Sequence, residues 1–128
     1  MRPIATLRWL PVVVVAVTSA CSMFNRSLSS VTSIDAGQAF RLGGGQPGAF
    51  VVRGSNTGPV EVVVFSDLRG TRDSIATLAP GARVDAEFPK GATAIFMNTS
   101  ATRSASVSIK VTGNIAALSM GYERSPKR

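Results

Sequence analysis

Residues Ser106-Val107-Ser108-Ile109-Lys110-Val111-Thr112 alternate polar and apolar side chains without a break. A period of two puts Val107, Ile109 and Val111 on one face and Ser106, Ser108, Lys110 and Thr112 on the other. That pattern is a β-strand with one buried and one wet side. The same period runs through Ala82, Val84, Ala86 and Phe88 against Arg83, Asp85 and Glu87. It returns in Leu118, Met120 and Tyr122 against Ser119, Gly121 and Glu123. Two further stretches, Val60 to Phe65 and Ala92 to Met97, are apolar on both faces, which predicts central strands covered on both sides or an interface with another chain. Between these stretches lie Thr57-Gly58-Pro59, Pro80-Gly81, Pro89-Lys90-Gly91 and Gly113-Asn114, residues suited to chain reversal. After residue 21 no window holds a helical period; Ala116 to Met120 is the nearest and is too short. About eight strands separated by turns every 8 to 12 residues predict an all-β domain, a small antiparallel β-sandwich or jelly roll, with a small closed β-barrel as the alternative. No internal repeat points to a propeller or solenoid.

The first twenty residues have a different character. Arg2 and Arg8 give a positive start, Trp9 to Val17 an apolar middle, and Thr18-Ser19-Ala20 a small-residue approach to Cys21. These are the three parts of a secretory signal. The uninterrupted apolar run is about half the ~20 residues a membrane-spanning helix needs, and Pro11 lies near its start. The stretch Thr18-Ser19-Ala20-Cys21 resembles the lipobox of bacterial lipoproteins, departing from its strongest form in having Thr18 where leucine is usual. The resemblance implies that Cys21 becomes the N-terminus and carries the acyl chains, two of which suffice for stable anchoring. It also implies that Ser22, standing where an aspartate would retain the protein in the inner membrane, favours the outer membrane if the host has two. The expected layout is a signal peptide at 1–20, a polar tether at 21–33, a sandwich domain at 34–123 and a basic tail at 124–128. In the tether, Phe24, Leu28 and Val31 are the expected first contacts with the domain.

Cys21 is the only cysteine and the chain has no histidine. The domain therefore has no internal disulfide and must rest on packing. The commonest general base and the commonest transition-metal ligand are both missing, so neither a cofactor nor a metal site is expected. Removing Arg2 and Arg8 from 14 basic side chains leaves 12 against 7 acidic ones, a balance of +5. The positive side chains are dispersed except at Arg124, Lys127 and Arg128. Such a spread suits attraction to anionic envelope polymers or lipid head groups. No aromatic platform accompanies it, so nucleic acid is not an expected partner.

Four motifs invite chemistry. Gly43-Gly44-Gly45-Gln46-Pro47-Gly48 matches the spacing G-x-G-x-x-G, but an apolar strand follows where a helix should, and Pro47 lacks an amide for a phosphate; a flexible hairpin loop is the expectation. Asp85 and Glu87 would share a strand face at about 7 Å, a separation glycoside hydrolases use. A charged row on a half-buried strand explains them without catalysis, with Arg83 and Asp85 offsetting one another's charge. Ser106 or Ser108 with Lys110 has the composition of a serine–lysine dyad, and the polar side of an amphipathic strand accounts for it. Asn25-Arg26-Ser27 and Asn98-Thr99-Ser100 match the glycosylation acceptor pattern and read instead as tether and turn, with asparagine and serine bonding nearby backbone.

Three classes of function remain. The first is a non-enzymatic, lipid-anchored envelope protein, a structural or adaptor subunit that docks through strand edges or apolar faces to a protein partner or to itself. The second is a binding module for an anionic envelope polymer, or an inhibitor of an exported enzyme. A small hydrolase built on Asp85 and Glu87 ranks last.

Overall fold

The structure, a computed structural model, describes residues 27–115 and 118–124. The described residues form nine strands and no helix. They are β1 (Ser27–Ile34), β2 (Gln38–Gly43), β3 (Phe50–Asn56), β4 (Val62–Leu68), β5 (Thr71–Leu78), β6 (Arg83–Phe88), β7 (Thr93–Asn98), β8 (Ala105–Gly113) and β9 (Met120–Arg124). Two antiparallel sheets face each other, ordered β1-β8-β3-β6 and β5-β4-β7-β2-β9. The arrangement is a sandwich, not a closed barrel.

The pairings follow a simple rule. β1 pairs with β8, β2 with β7, β3 with β6 and β4 with β5, so the first eight strands form one long double-stranded ribbon. Rolling that ribbon creates the extra pairs β3·β8 and β4·β7 and divides the strands between two sheets. This is the jelly-roll order, with β9 added beyond β2. Every connection except β4–β5 passes from one sheet to the other. The exception is a two-residue hairpin, Arg69-Gly70, whose φ values of 54° and 85° suit the twist of the flanking strands; glycine accepts the second at no steric cost.

Alternation positions the core. Val107, Ile109 and Val111 of β8 point inward with Val52 of β3, Phe88 of β6 and Phe40, Leu42, Val62, Val64 and Phe96 of the other sheet. Phe50 and Phe88 lie directly opposite on β3 and β6 and stack at 5.2 Å with 14° between their planes. Such a pair contributes about 0.5–1.5 kcal/mol beyond its burial. β7 is buried at every position from Thr93 to Asn98. On the outer side of its sheet, Ala39, Ile95 and Met97 form a second apolar cluster with Val63 and Phe65. The two stretches that read as apolar on both faces are thus β4 and β7, neighbours in the middle of the wider sheet.

Three expectations are corrected. Residues 27–33 of the expected tether belong to the sandwich: they form an edge strand along β8, from Ser27 opposite Thr112 to Ile34 opposite Ala105. Leu28, Thr32 and Ile34 turn inward while Ser27, Ser29, Val31 and Ser33 face solvent, a composition that an edge strand shares with a linker. Arg124 closes β9 and does not open a tail. The glycine-rich segment is not a flexible hairpin. It crosses between sheets and is pinned by Gln46, whose buried amide accepts from the Gly44 amide at 2.7 Å and donates to the Ala92 carbonyl at 3.1 Å. Cys21 and the expected signal peptide lie outside the described residues, as do residues 125–128 of the expected tail.

Candidate functional site

A sandwich of two open sheets has four edge strands, and here they differ. The β6 edge carries Arg83, Asp85 and Glu87, all exposed. The β5 edge carries Arg72 and Asp73 and is broken by a bulge at Ile75, where the register with β4 shifts between Val64 and Phe65. The β9 edge is five residues long and ends in Glu123 and Arg124. Charge, bulges and shortness are the devices that keep a strand edge from pairing with another chain. Ser27–Ile34 has none of them: eight residues without a charge, a proline or a register shift.

The direction of its backbone groups follows from its neighbours. Thr57 donates its amide to the Ser106 carbonyl at 2.9 Å, so Ser106 of β8 points toward β3. Backbone groups alternate sides along a strand, so Ser33, opposite Ser106, points its amide and carbonyl away from β8. The same holds for Val31 and Ser29. The Tyr122 hydroxyl donates to the Ser33 carbonyl at 3.1 Å, consistent with that direction. Val31, at the middle of the strand, is 75% exposed.

A second feature lies beneath this edge. β9 makes its sheet one strand wider than the other on the β1 side. Met120 and Tyr122 lie opposite Leu42 and Phe40 on the inward side, as their alternation predicts, with the Tyr122 ring 5.5 Å from that of Phe40. They are nevertheless 48% and 54% exposed, because among the described residues no strand lies beyond β1 to cover them. A small apolar cleft opens there between Leu28, Phe40, Leu42, Ile109, Val111 and Met120.

The outer face of the wider sheet is closed. Glu123 accepts from Arg41 at 2.9 Å and from Arg72 at 3.1 Å, and Arg72 also donates to Asp67 at 3.2 Å. This network joins β2, β4, β5 and β9 on the face that carries the outer apolar cluster of Ala39, Ile95 and Met97. Its side chains are mostly occupied with one another, so it holds the sheet together and offers little to a ligand.

The residues singled out for chemistry are not gathered into a site. Asp85 and Glu87 both sit on the exposed outer face of β6. Asp85 pairs across the sheet with Arg53 of β3 at 3.4 Å, not with Arg83 of its own strand. Glu87 lines a shallow depression with Ala49, Pro89 and Lys90 that Asp85 does not share. Ser106 bonds the Thr57 hydroxyl at 3.0 Å, and Lys110 stands opposite Arg53, so neither serine has a basic partner arranged for proton transfer. Asn98 is buried: it donates to the Ile34 and Arg103 carbonyls and accepts from the Ser100 amide, as a turn-forming residue does. Among the described residues, no three His, Cys, Asp or Glu side chains come together as a cation site.

The fold is a jelly roll in which one edge, β1, is uncharged and free of bulges. Comparison with protein-family models, curated proteins and solved structures finds no match to this chain.

Proposed function

We propose that this chain is a non-enzymatic, lipid-anchored protein of the bacterial envelope, held through Cys21, whose jelly roll serves as a structural or adaptor subunit of a surface assembly. The outer membrane is its favoured location where the host has two. The observation that carries the adaptor role is the contrast among the four edges: three are defended, and β1 is long, uncharged and next to exposed Met120 and Tyr122. Strand addition at such an edge draws affinity from main-chain hydrogen bonds and specificity from alternate side chains. The anchor rests on the sequence before Ser22.

The test is crosslinking in intact envelopes with the lipidated protein carrying a photoreactive residue in place of Val31, followed by mass spectrometry. Recovery of one protein in stoichiometric amount at this position supports the reading. Recovery of polymer fragments alone, or crosslinks that avoid β1, overturns it.

A second reading has its own observation. Arg53 and Lys110 stand directly opposite one another on the outer face of the four-stranded sheet, flanked by Ser55, Ser108 and Thr112. Two facing cations beside hydroxyls, with Asp85 pairing Arg53 from β6 at 3.4 Å, suit an anionic polymer that displaces this exposed pair, and binding there would weaken as salt is raised.

A further inference from the structure

We infer that the end of the sandwich where β1 starts is a membrane-contact surface: Arg69 and Lys90 engage head-group phosphates of the anionic bilayer that holds Cys21, and Leu68 enters its interface. The inference rests on the lipid-anchor reading and goes beyond it in giving the domain its own contact with lipid.

The connections between strands alternate between the two ends of the sandwich. Segments 44–49, 69–70, 89–92 and 114–119 turn at the end where β1 starts, and together they contain Arg69, Lys90 and no acidic residue. Segments 35–37, 57–61, 79–82 and 99–104 turn at the other end and contain Asp35, Glu61 and Arg103. The balance is two positive charges at the first end against one positive and two negative at the second. Arg69 and Lys90 are exposed, and among the described residues neither is in an ion pair. Of the acids on the adjoining strands, Asp67 is occupied by the Gly70 amide at 3.1 Å and by Arg72 at 3.2 Å, while Glu87 shares a shallow depression with Lys90. Arg69 is therefore the less shielded of the two cations.

The two tips stand side by side, since a Cβ on Gly91 would lie 4.0 Å from Leu68 Cδ1. Leu68 continues the inward alternation of Val62 and Val64 but projects past the end of the core and is 37% exposed. It adjoins Arg69 in the chain and Gly91, the neighbour of Lys90, in space. Arg69 is the only non-glycine with positive φ among the described residues, at a hairpin position that favours asparagine or aspartate. Turn chemistry does not account for an arginine there; a cation presented at the tip does. Ser27 is level with Thr112, Val51 and Glu87 across its sheet, so the corner leading to Cys21 and the corner leading to Lys90 lie three strand spacings apart, about 14 Å. Six residue steps from Cys21 reach about 20 Å, so both corners meet one bilayer. Each cation beside an anionic surface favours contact about fivefold, and an apolar side chain between head groups adds to it.

The experiment uses the lipidated mature chain, which no longer contains Trp9, in vesicles of phosphatidylcholine alone or with roughly one-third phosphatidylglycerol. Leu68→Trp and, at the far end, Ala101→Trp each supply a single tryptophan, read by its quenching with neutral acrylamide. Quenching of Leu68→Trp is expected to fall about threefold in the anionic vesicles and to recover as salt is raised, while Ala101→Trp is quenched alike in both. Adding Arg69→Asn with Lys90→Gln is expected to abolish the protection. Asn-Gly suits this hairpin at least as well as Arg-Gly, so the loss is not one of folding, and circular dichroism checks that the fold is kept. A tryptophan at 68 quenched alike in both vesicles, in a protein that stays on them, overturns the inference and leaves the anchor standing. Protection that is equal in neutral vesicles, or that survives removal of both cations, overturns it as well. A mature chain that carries no acyl mass removes the anchoring reading and the inference with it.

Discussion

Arg72 at the hairpin end of β5 and Glu123 near the end of β9 meet at 3.1 Å although they stand on opposite edges of the five-stranded sheet. On a flat sheet four strand spacings separate them by about 19 Å, further than the two side chains span. The sheet is coiled along this diagonal, which is how a twisted sheet brings two corners of one face together. Glu123 also accepts from Arg41, so its carboxylate serves two guanidinium groups. Glu123→Ala leaves both without that acceptor and is expected to lower stability by about 1–3 kcal/mol. Denaturant unfolding measures the loss. Arg72→Ala and Glu123→Ala together are expected to cost less than the two added separately, since they remove the same bond.

Asn98 and Asn56 do for the strand ends what Glu123 does for the face. Asn56 donates to the Val60 and Leu78 carbonyls and accepts from the Gly58 amide, tying the β3–β4 crossover to the end of β5. Each asparagine is buried, so its removal leaves carbonyls facing no donor. Asn56→Ala and Asn98→Ala are each expected to cost about 2–4 kcal/mol. Asn98→Asp is expected to be no milder, because an oxygen then faces the Ile34 and Arg103 carbonyls where a donor stood. Equilibrium unfolding in urea checks both; a loss below about 0.5 kcal/mol would contradict the roles drawn here.

Two glycines are expected to respond in opposite directions to alanine. Gly44 has φ of 99°, and a Cβ there would lie 2.6 Å from the Thr93 hydroxyl oxygen, so Gly44→Ala meets both strain and overlap. Gly54 lies within β3, where a Cβ would meet Val84 and Phe96 at 3.5 and 3.6 Å, ordinary contact distances. Gly54→Ala is expected to raise stability by about 0.5 kcal/mol, chiefly by restricting the unfolded chain, while Gly44→Ala lowers it by 1 kcal/mol or more. Thermal unfolding of the pair decides.

The all-β class was legible because β6 and β8 each bury one face and wet the other, so their period of two survives in the sequence. β4 and β7 were legible for the opposite reason, being apolar on both sides in the middle of the wider sheet. β1 was not, since serine and threonine suit an edge strand and a tether equally well, and only its register with β8 separates the two. The exposure of Met120 and Tyr122 was likewise hidden. Their alternation places them on the inward side, but what covers that side depends on how far the opposite sheet extends. The candidate docking edge is therefore a property of strand order, and no local motif announces it. The ion network was hidden for a related reason: Arg41 and Glu123 are 82 positions apart.

Asp85 and Glu87 offer a check on the non-enzymatic reading. Both point to solvent from β6, and the Arg53–Asp85 pair is exposed on both sides, where such pairs contribute little. The double substitution Asp85→Asn with Glu87→Gln is expected to change stability by less than about 0.5 kcal/mol. It is also expected to leave envelope association and β1 crosslinking unchanged. Loss of a hydrolytic activity in this variant, measured against glycan substrates of the envelope, would restore the reading ranked last.

With β1 beginning at Ser27, the chain between a lipidated Cys21 and the domain is shorter than a tether through residue 33 implied. In the proposed anchoring, the six residue steps from a lipidated Cys21 to Ser27 reach at most about 20 Å, which would hold the end of the sandwich where β1 starts, with the turn Pro89-Lys90-Gly91, close to the bilayer. Cys21→Ser is expected to move the protein from the membrane to the soluble fraction and to abolish the added acyl mass. Inserting ten glycine and serine residues after Ser22 is expected to leave anchoring intact while making the turn at Lys90 more accessible to trypsin on intact membranes, because the bilayer no longer shields it. A Cys21→Ser protein that stays membrane-bound would place the attachment elsewhere in the chain. An inserted linker that leaves cleavage at Lys90 unchanged would mean that the domain is not held with that end toward the membrane.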